Sequence, residues 1–405
     1  MHMKKGTYAV KAKTIIPMIG EKAARGPQLF TTLTKIDNGI LLIHDGRVLS
    51  VGKAKNLRLP EYCPIEDLGY TTIIPGPINA HVHLDLSYLA GKTLFHKGFT
   101  PWLKSLIPQL PRGQISENEL VTSVKAAYQS LEDAGTRFVG NIAGSAEDLL
   151  PILDQFSKEH NVTSMHFCEW FGFTLPKDNS PWPPRVYGDI TRTPSLVDHA
   201  MPGGHALYST APELLQRASE YCQSHKQVFT MHLAESPEET EMLTKGTGTL
   251  YELYRQRVLS PFWQAPKMPP LAYALHLNLL GPHFLAVHGT QLDSQEAQVL
   301  AMKGASLCLC PRSNANLNVG TPDIHSFIAE NVLLCLGTDG LSSNTDLNVI
   351  QEAVFLREHF DTPKEALIRM LTVNGAHALH LDVTQAQLDV GSPAHFAILP
   401  EELTA

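Results

Sequence analysis

This sequence of 405 residues lacks several features that would have narrowed its class at once. Cysteine is scarce: six residues, none in a C-x-x-C pair and none at the density of a disulfide framework. Most of the six sit in apolar strand-like runs such as "SLCLCP" and "VLLCLG", where cysteine behaves as a small buried hydrophobe in a reducing cytoplasm. Metal ligation by Cys308 and Cys310 is the lesser reading. A positive surplus is missing too: 32 Lys and Arg face 40 Asp and Glu, a net charge of −8, which argues against nucleic acid or an anionic membrane as partner. No apolar run reaches the roughly 18 residues of a membrane helix. Lys11 and Lys13 break up the N-terminal stretch, so no signal-peptide core is expected there. There is no short repeat and no low-complexity linker.

What remains is an ordinary globular composition, 43% hydrophobic and 18% charged. The first 70 residues read as short strands with turns, and "DG" at 45–46 between apolar runs marks a hairpin. Beyond residue 70, strands alternate with helical stretches. Eight strands are expected in "GPINAHVHL" (76–84), "TRFVGNI" (136–142), "VTSMHFCEW" (162–170), "HALYST" (205–210), "VFTMHLAE" (228–235), "FLAVHGT" (284–290), "ASLCLCPRSN" (305–314) and "VLLCLGTDG" (332–340). Helical segments lie between several of them, as in 116–135, where Ser116 and Glu119 suggest a capping box. The expected fold is α/β: a (β/α)8 TIM-type barrel over 70–384, with a small β-sandwich domain formed by 1–69 and 385–405, since "LDVGSPAHFAILP" (388–400) returns to strand character.

Polar residues recur at the C-terminal ends of these strands: His81 and His83, Glu169, His232 with Glu235, His288 and Asp339. With nineteen histidines in the chain, a single H-x-H is no more than chance supplies. Its meaning comes from its companions. In a barrel all strand ends share one face, and a period of two puts His81 and His83 on the same side of their strand. With His232 and Asp339 they make three nitrogens and one carboxylate, a set suited to Zn²⁺ or Fe²⁺ with a position left for water. Coordination lowers the pKa of such a water. Asp339 can then accept its proton, His288 can hydrogen-bond the hydroxide and the oxyanion that follows, and Glu235 can carry a proton to a ring nitrogen or leaving group.

These residues carry a resemblance. "IIPGPINAHVHLDLS", "HLAESPEE", "VHGTQLD", "CPRSNANLNVG" and "GTDGLSSN" occur in the order found in the metal-dependent amidohydrolase superfamily, in its deaminase/chlorohydrolase branch, and span almost the whole chain. The terminal segments resemble the family's β-segments; His395 stands where that tail commonly has Asp, a difference expected at the surface. The resemblance implies one divalent metal ion on His81, His83, His232 and Asp339, with Glu235, His288 and Asp339 catalytic. The expected fourth strand offers no lysine for a second metal. The stretch "HLDLSYLAGKTLFHKGFTPWLKSLI" (83–107) is similar to a branch associated with aminodeoxyfutalosine deaminase of menaquinone biosynthesis. That implies hydrolytic deamination of a 6-aminopurine nucleoside, with other amino-heterocycles, or C–Cl and amide bonds, as alternatives.

Substrate-binding candidates follow. Trp102 serves either to stack on a purine or to pack a helix. His205 looks like the family's substrate-touching strand-four histidine, and Glu169 is either a ribose contact or a salt-bridge partner. Arg312 reads as a loop brace. A cytoplasmic enzyme with a small-molecule partner is expected, with a homodimer as a possible assembly.

Overall fold

A computed structural model describes residues 5–110, 115–144 and 149–404. The chain opens with strands β1 (Thr7–Ile15), β2 (Ile36–His44), β3 (Arg47–Lys53), β4 (Ile65–Asp67) and β5 (Thr72–Pro75). Then follow β6 (Ile78–Val82), β7 (Phe138–Ala143), β8 (Thr163–Trp170), β9 (Ala200–Gly204), β10 (Phe229–Leu233), β11 (Phe284–His288), β12 (Ser306–Leu309), β13 (Leu333–Leu336) and, near the end, β14 (Phe396–Leu399).

The two chain ends meet in one six-stranded mixed sheet, ordered β14-β5-β1-β2-β3 with β4 beside β1. The "DG" turn does what its residues favour: Asp45 and Gly46 both take positive φ, 44° and 75°, and link β2 to β3 as a tight hairpin. β14 runs antiparallel to β5, with Phe396 opposite Pro75, so this sheet extends past residue 70 to Pro75. His395, expected at the surface, is half-buried beside Gly76 and Arg137.

The remaining strands form two parallel four-stranded sheets, β6-β7-β8-β9 and β10-β11-β12-β13. Helices separate them, as parallel pairing requires. Glu117–Asp133 is one; its N-terminus is capped by Ser116 Oγ, which accepts the Glu119 amide at 3.2 Å. Backbone hydrogen bonds tie both pairs of sheet edges. The His232 amide donates to the His205 carbonyl at 2.9 Å on one side; on the other, Thr338 and Asp339 amides donate to the His81 carbonyl at 3.1 and 3.0 Å.

Seven of the eight expected strands overlap β6–β8 and β10–β13. The fourth does not. It was expected at "HALYST", and the strand is the preceding "AMPGG", Ala200–Gly204. Proline and glycine are depleted in strands, which hid it; the structure uses Gly204 because Leu215, from the helix Pro212–Ser224, packs where a Cβ would stand. The shift moves His205 from the start of a strand to the position just after its C-terminal end.

Candidate functional site

The strand order dictates where the polar residues go. All five residues of β6, β10 and β11 are buried, and their last positions, with the turn after β13, open on the same end of the sheets. There His81 from β6, His232 from β10, His288 from β11 and Asp339 beyond β13 bring one ligand atom each within 4.8 Å of the others. His83 joins them: its Nε2 lies 3.3 Å from His232 Nε2 and 3.4 Å from Asp339 Oδ1, while His81 Nε2 is 3.6 Å from that same oxygen.

Neighbouring bonds set the orientation of each donor. His232 Nδ1 donates to the His205 carbonyl at 2.8 Å, which leaves the Nε2 lone pair facing the cluster. Asp339 Oδ2 accepts Ser313 Oγ at 2.7 Å and Ser343 Oγ at 2.6 Å, so Oδ1 is the atom turned toward the imidazoles. His288 Nδ1 donates to Asn314 Oδ1 at 2.9 Å, and its Nε2 points toward Glu235 Oε1, 3.6 Å away. Backbone strain accompanies this arrangement: His288 and Asp339 hold φ of 75° and 60°, a region uncommon for non-glycine residues and frequent at functional sites.

Burial favours the neutral form of three of the imidazoles. Burial pushes His81 down to about 4 and His232 well below its ordinary value, and it lowers His288 as well. Burial alone would raise Asp339, but the contact with His81 and the nearness of His83 and His288 hold it well below the carboxylate range. Glu235 goes the other way. Burial, then the charges of Asp339, Glu239 and Glu238, lift it well above that range. Neutral imidazoles and an ionised carboxylate are the forms that bind a divalent cation. Neither ring nitrogen of His81, nor His288 Nε2, has a hydrogen-bond partner although all are buried. Orphaned buried nitrogens are costly, and a cation would take up the His81 nitrogen that faces Asp339 Oδ1, so the residues present fit one.

Gly337 holds this cluster together. A Cβ there would meet Cys308 Sγ at 2.7 Å and His81 Cβ at 2.8 Å, closer than packing allows. Gly337→Ala is expected to cost about 1–3 kcal/mol by overpacking, read as a lower urea midpoint with unchanged m-value, and to weaken metal retention because His81 must shift.

A cavity of about 500 Å³ opens over the cluster. His83, His232, Glu235 and Asp339 line it, and so do Trp102, Glu169 and His205. Trp102 also packs: its Nε1 donates to the Ser342 carbonyl at 2.7 Å. Glu169, His205 and His232 bring one ligand atom each within 4.8 Å of one another, and His205 Nδ1 lies 2.6 Å from Ser209 Oγ. Arg312 braces the loop after β13, gripping Asp346 at 2.8 and 2.7 Å and Thr345 at 2.7 Å. The cysteines are all unpaired, and burial pushes the Cys310 thiol up to about 11.

Sequence reasoning missed Asp85, Tyr208, Tyr254 and Arg257, which also line the cavity. Asp85 had a signal: it continues the alternation of His81 and His83. The other three lie outside the strand ends and had none.

Comparison with known proteins follows from this geometry. A family model described as the amidohydrolase family matches residues 72–404. A 5-methylthioadenosine/S-adenosylhomocysteine deaminase of Nitratidesulfovibrio vulgaris is 27% identical over 398 residues, covering 90% of this chain and 80% of its own. An aminodeoxyfutalosine deaminase of Deinococcus radiodurans is 27% identical over 331 residues, covering 79% and 76%. Among solved structures, a Helicobacter pylori aminofutalosine deaminase in complex with methylthio-coformycin superposes with a TM-score of 0.79 at 19% identity, over 98% of this chain and 94% of its own. That likeness establishes the fold.

Proposed function

The chain belongs to the amidohydrolase family, whose model covers residues 72–404, and from that premise we propose that it is a one-metal deaminase of a 6-aminopurine nucleoside. Aminodeoxyfutalosine is the favoured substrate, with methylthioadenosine, adenosylhomocysteine and adenosine as the alternatives that the named relatives suggest. The carrying observation is the convergence of His81, His83, His232 and Asp339, from three separate strand ends, beside the buried carboxyl of Glu235. On this reading the two parallel sheets close into one eight-stranded barrel, supported by the backbone bonds at both seams. Residues 70–384 are then the catalytic unit, and the terminal sheet is the small β-domain. The unpaired cysteines suit a reducing cytoplasm.

His81, His83, His232 and Asp339 would hold the ion; His83 is preferred to His288 because His288 Nε2 also faces Glu235. A divalent cation there, Zn²⁺ or Fe²⁺, lowers the pKa of a coordinated water toward neutrality and so supplies the nucleophile. The chain's own groups do the rest. Asp339 Oδ1 accepts the proton of the attacking water, with Oδ2 held by two serines. Glu235, whose protonated form burial favours, donates to the ring nitrogen beside the carbon that bears the amine. His288 Nε2 orients the attacking water as acceptor, takes its second proton as the C–O bond forms, donates that proton's hydrogen bond to the oxygen that develops negative charge, and returns it to Glu235, which it faces at 3.6 Å. Collapse expels ammonia, protonated through Glu235 and Asp339. Glu169 and His205 would contact the ribose and base, and Trp102 would wall the site.

The test is a screen of metal-loaded protein against aminodeoxyfutalosine, adenosine, methylthioadenosine, adenosylhomocysteine, guanine and cytosine, read as ammonia released and as the ultraviolet shift from 6-amino to 6-oxo purine. Turnover of a purine nucleoside is expected. Silence on all six at one equivalent of bound metal removes the proposal, and chloride or amine release from other substrates would move the chemistry to C–Cl or amide hydrolysis.

A further inference from the structure

The carboxyl of Glu352 is not one of the groups that face the reacting centre, yet it joins the two segments that aim them. Glu352 sits on the helix Val349–Phe360, is fully buried and stands behind the cavity wall rather than in it. Its Oε2 accepts the Arg312 amide at 2.9 Å, and its Oε1 accepts Asn344 Nδ2 at 2.8 Å. The Arg312 guanidinium adds a positive charge 3.6 Å from Oε1.

One tie runs through the helix Pro311–Leu317. Cys310 precedes it without a side-chain cap, and Pro311 has no amide to donate. The Arg312 amide is therefore the first donor that the helix leaves unsatisfied, and Glu352 takes it from 40 residues away. The next two residues do the aiming: Ser313 Oγ donates to Asp339 Oδ2, and Asn314 Oδ1 accepts His288 Nδ1. The other tie runs through the loop after β13. Asn344 Nδ2 divides its protons between Glu352 and the Thr338 carbonyl, the latter at 2.8 Å. Thr338 is thereby held on both sides, since its amide donates to Asn79 Oδ1 at 3.1 Å, and Asp339 follows it directly. Such support is needed here. The φ values of Asp339 and His288, 60° and 75°, persist only where the surroundings over-determine the backbone.

We propose that Glu352 is a positioning residue. By tying the Arg312 amide to Asn344, it holds the helix Pro311–Leu317 and the loop after β13 so that Asp339 Oδ1 faces the imidazoles and His288 Nε2 faces Glu235. Its effect on turnover rests on the deaminase reading; its effect on metal retention follows from the ligand set alone. A carboxylate suits the position because both of its oxygens meet donors. Glutamine fills the same volume, but its amide nitrogen must face either the Arg312 amide or Asn344 Nδ2. Donor then meets donor, and one of the two ties is lost.

The test compares the metal-loaded parent with Glu352→Gln, on the nucleoside that the parent deaminates and by transfer of bound metal to a chromophoric chelator. Groups that orient metal ligands from behind carry about 10–100-fold in affinity or activity. Glu352→Gln is expected to lower kcat by that factor with KM within about threefold, and to release metal about tenfold faster. Because part of the effect passes through Ser313, Glu352→Gln combined with Ser313→Ala should lose clearly less than the product of the two single losses. Glu352→Asp keeps the charge beside Arg312 but is one methylene too short to span both donors, so it should lose kcat as the glutamine variant does. It decides alone if Glu352→Gln does not fold. A purely stabilising Glu352 would lower Tm in both variants and leave kcat per metal-loaded molecule and metal release within about threefold of the parent; that result overturns the proposal. An aspartate variant that behaves as the parent overturns it too, since charge rather than the double tie would then matter. A parent silent on every nucleoside overturns the deaminase reading instead, and metal release then judges Glu352 by itself.

Discussion

Glu235→Gln is expected to lower kcat by about 10²–10⁴-fold, the range for loss of a positioned general acid–base group, while bound metal stays at one equivalent. The substitution is clean because the backbone fixes the residue independently of its side chain. The Glu235 amide donates to Glu239 Oε2 at 2.7 Å, and its carbonyl accepts Thr290 Oγ1 at 2.6 Å. Glutamine fills the same space and can still hydrogen-bond, but it cannot pass a proton to a ring nitrogen and take it back. Stability should move the opposite way. In the metal-free protein the folded-state pKa of Glu235 is raised, by burial first and then by Asp339, Glu239 and Glu238. Between the ordinary carboxylate value and the raised one, the native state binds more protons than the unfolded chain, so unfolding free energy falls as pH rises through that window. Glutamine abolishes this penalty. Urea unfolding of the metal-free proteins at pH 5 and pH 8 should show the variant gaining on the parent at the higher pH. A variant that keeps more than a tenth of the parent's kcat would remove Glu235 from the proton path.

The strand ends were legible because they combine two independent patterns. "INAHVH", "FTMH" and "FLAVH" are buried apolar runs that finish in a histidine, and both the run and its terminal residue survive inspection one segment at a time. Asp339 was legible only as the last member of that series. What the sequence concealed has a common physical origin. Ala200–Gly204 is a strand by virtue of its neighbours, since Gly204 stands where Leu215 approaches too closely for a side chain, and such a position carries no propensity signal. Ser313, Ser343 and Asn314, which orient Asp339 and His288, are separated from them by up to 26 residues and matter through hydrogen bonds that no periodicity encodes. The outer walls of the cavity are helical residues chosen for shape. Their apolar spacing reads as ordinary core, and Arg257 reads as ordinary surface. Catalytic chemistry was thus written in residue type, whereas selectivity was left to packing.

The largest effect is expected from the cluster itself: Asp339→Asn should abolish turnover, by about 10⁴-fold or more, because a water whose pKa falls from about 15.7 to about 7 on coordination loses that activation. Asparagine is the informative substitution. It tolerates the left-handed backbone that Asp339 adopts, φ 60°, and its amide oxygen can still accept Ser313 Oγ and Ser343 Oγ, so the loop after β13 is retained. What disappears is the negative charge that the neighbouring imidazoles stabilise. Elemental analysis should find the parent at one equivalent of zinc or iron and the variant well below it. Adding Zn²⁺ or Fe²⁺ to chelated parent should raise its Tm, since an ion that binds only the native state stabilises it, and should restore activity; the same additions should leave Asp339→Asn where it was. His232→Ala should behave alike, as its Nε2 lies 3.3 Å from that of His83. The contrast with a purely structural network is sharp. If His81, His83, His232, His288 and Asp339 only filled a buried polar core, chelation would change neither Tm nor rate, and Asp339→Asn would lower the urea midpoint without altering metal content.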